Sequence, residues 1–448
     1  MTEIYTGSKR QRRVAVIIIV LSILAIAAII AGAFILGSGN YEKNRLKRAV
    51  IYSTPTEAST VADCLVFWEF PAFNEELIEA IEVRYDYHFY KEIGEDVEVA
   101  RTAANHFIDN FYDTLDREDK DSVTQAVAAS YIAAVGDTYG YYRTAEQANE
   151  FNSDMSGKTV GIGVTVTKDV ERGIPIIDII ENSPAEKAGL LIGDLITKID
   201  GESIVGKDYD ESVNKIRGEK GSSVTLEIKR GDKELTVDVI RDEVIQKTVS
   251  GSMLDGNIAY IKISSFKKNT DELFAAELDK LLSAGAVGVI FDVSVNPGGY
   301  LDSVTNMLSY LTPTGTKLAG FSSDRESIYS TDGTALEPTD KTLSLPVVVI
   351  CSEHTASAGE LFTGAVKDFR EMGLMNSTVV GKTTYKKGVM QTTFQLGGGE
   401  TITITTAYYF SPLGANNDID GVSPDVFVED KDDYLTTAIS EMNKLLNR

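Results

Sequence analysis

Histidine and cysteine are almost absent from this chain, at three and two residues in 448. Cys64 and Cys351 are too few for a disulfide framework, and with His88, His106 and His354 scattered no metal-ligating cluster can be read. Positive charge is also short. Lys and Arg number 43 against 67 Asp and Glu, and the net charge of -24 argues against nucleic acid as a partner. Residues 1–13 hold four of the bases and one of the acids, so the rest of the chain carries 39 against 66, or -27. No internal repeat is present.

What the chain does have begins with one long apolar run. Residues 14–36, VAVIIIVLSILAIAAIIAGAFIL, are 23 positions without a charge, about 34 Å as a helix at 1.5 Å per residue. Lys9, Arg10, Arg12 and Arg13 precede it, and the one small-x-small site, Ala31 to Ala33, is followed by further apolar residues. The run is therefore expected to be an uncleaved transmembrane helix rather than a cleaved signal. Its basic N-terminus places residues 1–13 in the cytoplasm and the acidic body outside the cell membrane. At 448 residues the chain also exceeds one ordinary core, so two or three domains are expected.

The chemistry concentrates between residues 345 and 391. LPVVVIC (345–351) has the length and β-branching of a strand buried on both faces of a largely parallel sheet. SEHTASAGE follows, then LFTGAVKDF with apolar residues at helical spacing, so Ser357 lies on a strand-to-helix turn. The helix behind it presents free backbone N–H groups to developing negative charge. A serine needs a neighbouring base to become a nucleophile. His354 is badly placed on the same turn, and His88 and His106 lie among candidate helices, which leaves a lysine. GKTTYKKGVMQ (381–391) supplies Lys382, Lys386 and Lys387, any of which would need burial to be neutral near pH 7. The plainer alternatives are a solvated lysine loop and, because Ser357 and Glu360 have S-x-x-E spacing, a capping box.

Elsewhere, residues 41–97 show apolar pieces but no chemistry, and amphipathic helices are expected over 98–115 and 121–134. Between Gly157 and Asp242 short β-like runs alternate with glycines. From Ser250 onward NIAYIKISSF, TDELFAAELDKLLSAG and AVGVIFDV read strand, helix, strand, and NPGG follows. A GGGE turn (397–400) joins two strands of a hairpin, VMQTTFQL and TITITTAYYF.

TASAGE resembles the nucleophile motif of the C-terminal processing peptidases, serine proteases with a PDZ domain. GKTTYKKGVMQ resembles their catalytic-lysine motif, and PAEKAGLLIGDLITKIDGE (184–202) a PDZ segment. By position, the resemblance makes Ser357 the nucleophile, Lys387 the base and Gln391 the residue that orients it, with Asp368 supporting the site. Asn296-Pro297-Gly298-Gly299 resembles the oxyanion loop, so Gly298, Gly299 and Ala358 would hold the oxyanion, each donor worth about 3 to 4 kcal/mol in other proteases. Gly161, Ile162, Gly163 and Val164 fall on the loop that holds a peptide's C-terminal carboxylate. Two departures stand out. The family's glycine is replaced by Lys386, and the interval from serine to lysine is longer, the surplus lying in REMGLMNST (370–378).

The expected architecture is multidomain α/β. A cytoplasmic tail (1–13), a transmembrane helix (14–36) and an N-terminal helical region (41–156) precede a β-rich PDZ domain (157–243). A serine peptidase core (250–430), implied to resemble the crotonase and Clp protease folds, and a C-terminal helix (431–448) complete it. The expected function is a membrane-anchored serine endopeptidase acting on extracytoplasmic proteins bound by their C-termini, without metal or organic cofactor. A catalytically inactive tethered PDZ scaffold is the other reading, and homo-oligomerisation is left open.

Overall fold

The computed structural model describes residues 42–55, 60–168, 171–322 and 343–447. Two compact units emerge, one of Met1–Thr144 with Thr392–Thr405 and one of Ala145–Gln391 with Thr406–Arg448. The first is helical: α1 (residues 42–52), α2 (Val61–Phe67), α3 (Glu75–His88), α4 (Asp96–Asn110) and α5 (Lys120–Val135), then a short strand β1 (Tyr141–Arg143). Its helix starts follow from local chemistry. Thr60 and Asn74 accept from the Asp63 and Leu77 N–H groups and satisfy donors that helix geometry leaves open. α5 stops at Gly136, whose φ of 77° is freely available only to glycine. Trp68, Tyr85, Phe107 and Val127 fill the core together with Ile402 and Ile404 from the late segment.

The second unit opens with α6 (Ala145–Met155) and a β-rich domain. That domain contains β2 (Lys158–Gly161), β3 (Val164–Val166), β4 (Ile174–Ile179), α7 (Pro184–Lys187), β5 (Leu195–Ile199), β6 (Glu202–Ser203), α8 (Tyr209–Ile216), β7 (Ser223–Arg230), β8 (Lys233–Ile240) and β9 (Asp242–Ile245). Its sheet runs β3-β4-β5-β7-β8 with β6 on β5, while β2 pairs with β9. Ile174, Ile196, Leu226 and Ile228 form its centre.

The α/β domain follows with β10 (Val249–Leu254), β11 (Ile258–Ile263), α9 (Thr270–Ser283), β12 (Gly288–Asp292), α10 (Leu301–Ser309), β13 (Gly320–Ser322), β14 (Val347–Cys351), α11 (Ala358–Glu371) and β15 (Ser377–Gly381). A hairpin, β16 (Val389–Gly397) and β17 (Glu400–Phe410), then β18 (Val426–Phe427) and α12 (Tyr434–Leu445) complete the chain. Strand order is β10-β11-β12-β14-β15-β18, parallel from β11 onward. Every residue of β12 and β14 is buried, as an unbroken apolar run in a parallel sheet requires. Side chains alternate: Phe291 and Val349 join the cluster under α9, α10 and α11, while Ile290 and Val348 meet Tyr434, Ala438 and Met442 of α12. Each fully buried aliphatic side chain contributes about 1.5–3 kcal/mol.

One expectation changes. Among the described residues no helix is long and apolar enough to cross a membrane. The transmembrane helix expected over 14–36 lies outside those residues, so the supported architecture is the α/β body without that element. Residues 392–405 of the hairpin cluster with the helical unit, because Phe394, Leu396, Ile402 and Ile404 complete that unit's apolar core.

Candidate active site

Cys351 ends β14, and the six residues before α11 are tied to the loop after β12. Thr355 Oγ1 donates to the Val293 carbonyl at 2.8 Å and the Ala356 N–H to the Asn296 carbonyl at 3.0 Å. Ser357 then takes φ 54° and ψ -118°, a strained conformation for a residue with a Cβ. Such strain costs about 1–3 kcal/mol and persists where the surroundings over-determine it, commonly at functional sites. The turn presents a half-buried Ser357 at the start of α11, the strand-turn-helix geometry of an exposed nucleophile.

The NPGG loop lies directly against it. A Cβ on Gly298 (φ 104°) would stand 2.9 Å from Ser357 Cβ and 3.1 Å from the Ala358 nitrogen, and one on Gly299 (φ 144°) 2.0 Å from the Phe266 oxygen. Only glycine fits either position. The three expected oxyanion donors are not equivalent. Asn296, fully buried, turns its Oδ1 back to accept the Gly298 N–H at 2.8 Å, whereas among the described residues the Gly299 and Ala358 N–H groups meet no acceptor.

One residue joins the serine turn to the lysine loop, and sequence reasoning saw it only as a capping partner. Glu360 is fully buried. Its Oε2 accepts the Ser357 N–H at 2.9 Å and the Lys387 N–H at 2.8 Å, and its Oε1 the Lys386 N–H at 2.8 Å and the Thr384 hydroxyl at 2.6 Å. Burial pushes this carboxyl above the usual range, against the pull of those four hydrogen bonds. Tyr409, also missed, adds a second tie, its hydroxyl reaching the carbonyls of both Ser357 and Lys387. The S-x-x-E spacing was the available signal for Glu360. Tyr409 had none beyond its place in TITITTAYYF.

The other predicted residues sort as follows. Lys382 pairs with Glu353 and Glu429 at 3.6 Å each, Lys386 is exposed, and Lys387 and Gln391 are half-buried. Lys386 occupies φ 79°, a backbone conformation that glycine adopts without strain. Gly388 has no spare room: its Cβ would lie 2.4 Å from the Asp418 nitrogen. The Gly388 carbonyl accepts from Asn416 Nδ2 at 2.8 Å, and Asp368 takes the Leu413 N–H at 2.8 Å, which ties α11 to the loop after β17. His354 is exposed. His88 stacks on Phe394 and His106 meets Ser130 in the helical unit. Cys351 is inert, its thiol pushed up to about 12 by burial.

The predicted peptide-binding residues line a cavity of about 950 Å³ between β3 and α8, walled also by α6. Tyr209, Val213 and Ile216, one face of α8, supply its apolar side. The Ile162 and Gly163 carbonyls accept from Ala185 at 2.8 Å and Ile180 at 2.9 Å, while among the described residues the N–H groups of Ile162 and Gly163 meet no acceptor. Gly163 (φ 81°) could not carry a Cβ, which would lie 2.3 Å from Ser183 Cβ; at Gly161 nothing stands within 4 Å.

Comparison with known proteins finds two family matches. Residues 257–428 match peptidase family S41 and residues 159–240 a PDZ domain. The two matched segments hold the serine, lysine, NPGG and PDZ motifs on which the resemblance to the C-terminal processing peptidases was read. It is 32% identical over 328 residues to a "Probable CtpA-like serine protease" of Staphylococcus epidermidis (strain ATCC 12228 / FDA PCI 1200), covering 72% of this chain and 65% of that one. A protein of the same description from Staphylococcus aureus (strain N315) is 31% identical over 329 residues, 72% of this chain and 64% of that one. The chain spans about 65% of the length of these relatives. Among solved structures, a photosystem II D1 C-terminal processing protease aligns at 21% identity over 80% of this chain and 93% of that one, with a TM-score of 0.43.

Proposed function

We propose that this protein is a serine endopeptidase of the C-terminal processing kind, which takes the C-terminal tails of proteins into its PDZ groove and cleaves with Ser357 and Lys387. The observation that carries the reading is Glu360 Oε2, a single buried atom that accepts both the Ser357 and the Lys387 backbone N–H. Two segments thirty positions apart are thereby held as one unit, as proximity between a nucleophile and its base demands.

In the proposed reaction Lys387, as the neutral amine, removes the Ser357 hydroxyl proton while Oγ attacks the substrate carbonyl. The oxyanion forms beside the open N–H groups of Gly299 and Ala358, the lysine returns the proton to the leaving amine, and water repeats the sequence to free the acyl group. Gln391, next but three along the strand, orients the amine. The groove's free N–H groups at Ile162 and Gly163 receive the tail's carboxylate, and its α8 face receives apolar side chains.

A second reading, a PDZ binding protein whose peptidase domain serves as scaffold, draws support from the Gly298 N–H, already taken by Asn296. Mass spectrometry of an unstructured peptide incubated with wild type, Ser357→Ala and Lys387→Ala decides between them. Cleavage by wild type alone is the expected result; equal products from all three would end the peptidase reading, and peptide binding without turnover would favour the scaffold.

A further inference from the structure

The wall of the peptide groove and the oxyanion loop are joined by one side chain. Asp154, at the end of α6, and Gln246, after β9, both line the groove. Asp154 Oδ1 accepts from Gln246 Nε2 at 3.0 Å and from Lys267 Nζ at 2.6 Å, and the Lys267 ammonium also donates to Gln246 Oε1. The lysine side chain is only 13% exposed, so its position is fixed by these two partners. Backbone contacts reinforce the junction: the Lys268 N–H reaches the Met155 carbonyl at 3.1 Å, and the Gln246 N–H the Gly157 carbonyl at 2.8 Å. Gly157 is pressed so closely on Asn269 that a Cβ would lie 1.8 Å from its Oδ1.

On the other side of Lys267 stands Phe266, fully buried. Its N–H donates to the Gly298 carbonyl at 2.9 Å and its carbonyl accepts the Tyr300 N–H at 2.7 Å. Of the two glycines between these bonds, Gly298 lies against Ser357 and Gly299 against Phe266 itself. A shift of Lys267 therefore moves Phe266, and a shift of Phe266 moves the loop on which the Gly299 N–H is carried.

We infer that Lys267 is a positioning residue for the oxyanion loop, set in place by the groove-wall pair Asp154 and Gln246, so that the loop's geometry depends on how that wall is arranged. The inference rests on the proposed peptidase activity. Lys267 touches neither Ser357 nor substrate; it acts through the Phe266 backbone. Its loss should lower kcat while leaving KM for a short peptide unchanged, because the serine, the lysine and the groove's carboxylate loop all remain.

The test measures kcat and KM of full-length wild type, Lys267→Met, Lys267→Arg and Asp154→Asn on one peptide with a free C-terminus and on its amidated form. Lys267→Met keeps the aliphatic stem and removes the charge. It is expected to lose kcat about tenfold, the scale of a small displacement of catalytic groups, with unchanged KM on the amidated peptide and a smaller kcat ratio between the free and amidated forms. Lys267→Arg should restore most of that loss, and Asp154→Asn should reproduce part of it should the methionine variant fail to fold. An active wild type whose variants keep both kcat and that ratio, or lose only KM, overturns this inference alone. A wild type that cleaves neither peptide overturns the peptidase reading and this inference with it.

Discussion

The turn that carries Ser357 and the loop that carries Lys387 are held by opposite means. The serine turn is inserted between a buried strand and a buried helix and is bonded on its free side to the Asn296 loop. It shares the Glu360 and Tyr409 bonds with the lysine loop but has this packing and the Asn296 loop besides. The lysine loop, residues 382–388, has no regular structure. It borrows acceptors and donors from elsewhere: Glu360 from α11, Tyr409 from β17 and Asn416 from the loop beyond. Both segments contain a non-glycine residue at positive φ, Ser357 at 54° and Lys386 at 79°. In the first the strain exposes a hydroxyl; in the second it falls on a side chain that points into solvent. A turn built by packing is robust, and a loop built from a few borrowed hydrogen bonds is not.

Glu360→Gln should test this difference most severely. Whichever oxygen becomes the amide, at least one backbone N–H of Ser357, Lys386 or Lys387 faces a donor, at about 1–3 kcal/mol for each buried group left unpaired. A fall in thermal midpoint with kcat/KM reduced at least about tenfold is expected, and chemical denaturation read beside peptide turnover checks it. The pH dependence has a definite sign. Burial raises the Glu360 carboxyl, so its contribution is complete below the ordinary glutamate value of about 4.3 and is lost as pH rises through the folded value. The gap in midpoint between wild type and variant should be widest in mild acid and narrow toward neutrality; a gap that widens instead would show that the carboxyl is not raised.

Gly388→Ala comes next. Its Cβ would meet backbone at 2.4 Å, so the loop must move, at a cost of about 1–3 kcal/mol. Activity should suffer out of proportion to stability, since about 1 Å of misplacement can remove a hundredfold in rate. Steady-state kinetics alongside a thermal melt would show it, and equal activity would mean that the loop adapts. The smallest effect belongs to Lys386→Gly. Relief of a left-handed backbone should stabilise the folded state by about 1 kcal/mol at most, offset in part by the freer unfolded chain, with turnover unchanged. Destabilisation by this change would mean that the Lys386 side chain has a role its exposure does not suggest.

What could be read in advance follows the same division. LPVVVIC, the TASAGE turn and the GIGV loop announce themselves because a long buried apolar run and glycines at tight backbone approaches leave few alternatives. Glu360 was visible only as the far end of S-x-x-E, a spacing that most helices use for capping, and nothing local says that its oxygens also serve residues 386 and 387. The NPGG glycines were legible as a close approach, but the capture of the Gly298 N–H by Asn296 depends on one side-chain rotamer. Residues 60–97 hid their helices because short segments such as Val61–Phe67 are apolar on more than one side, and periodicity cannot be judged over seven residues.

The hairpin carries a consequence for the order in which this protein forms. Thr405 donates its N–H and hydroxyl to Asp137 across 268 positions, at 2.9 and 2.7 Å. Ile402 and Ile404 fill a core whose other buried members lie before residue 135. The helices of that core therefore leave the ribosome long before the strand that seals them, and contacts so distant in sequence close slowly. Of the two units, the one whose helices come earlier is the one that must wait.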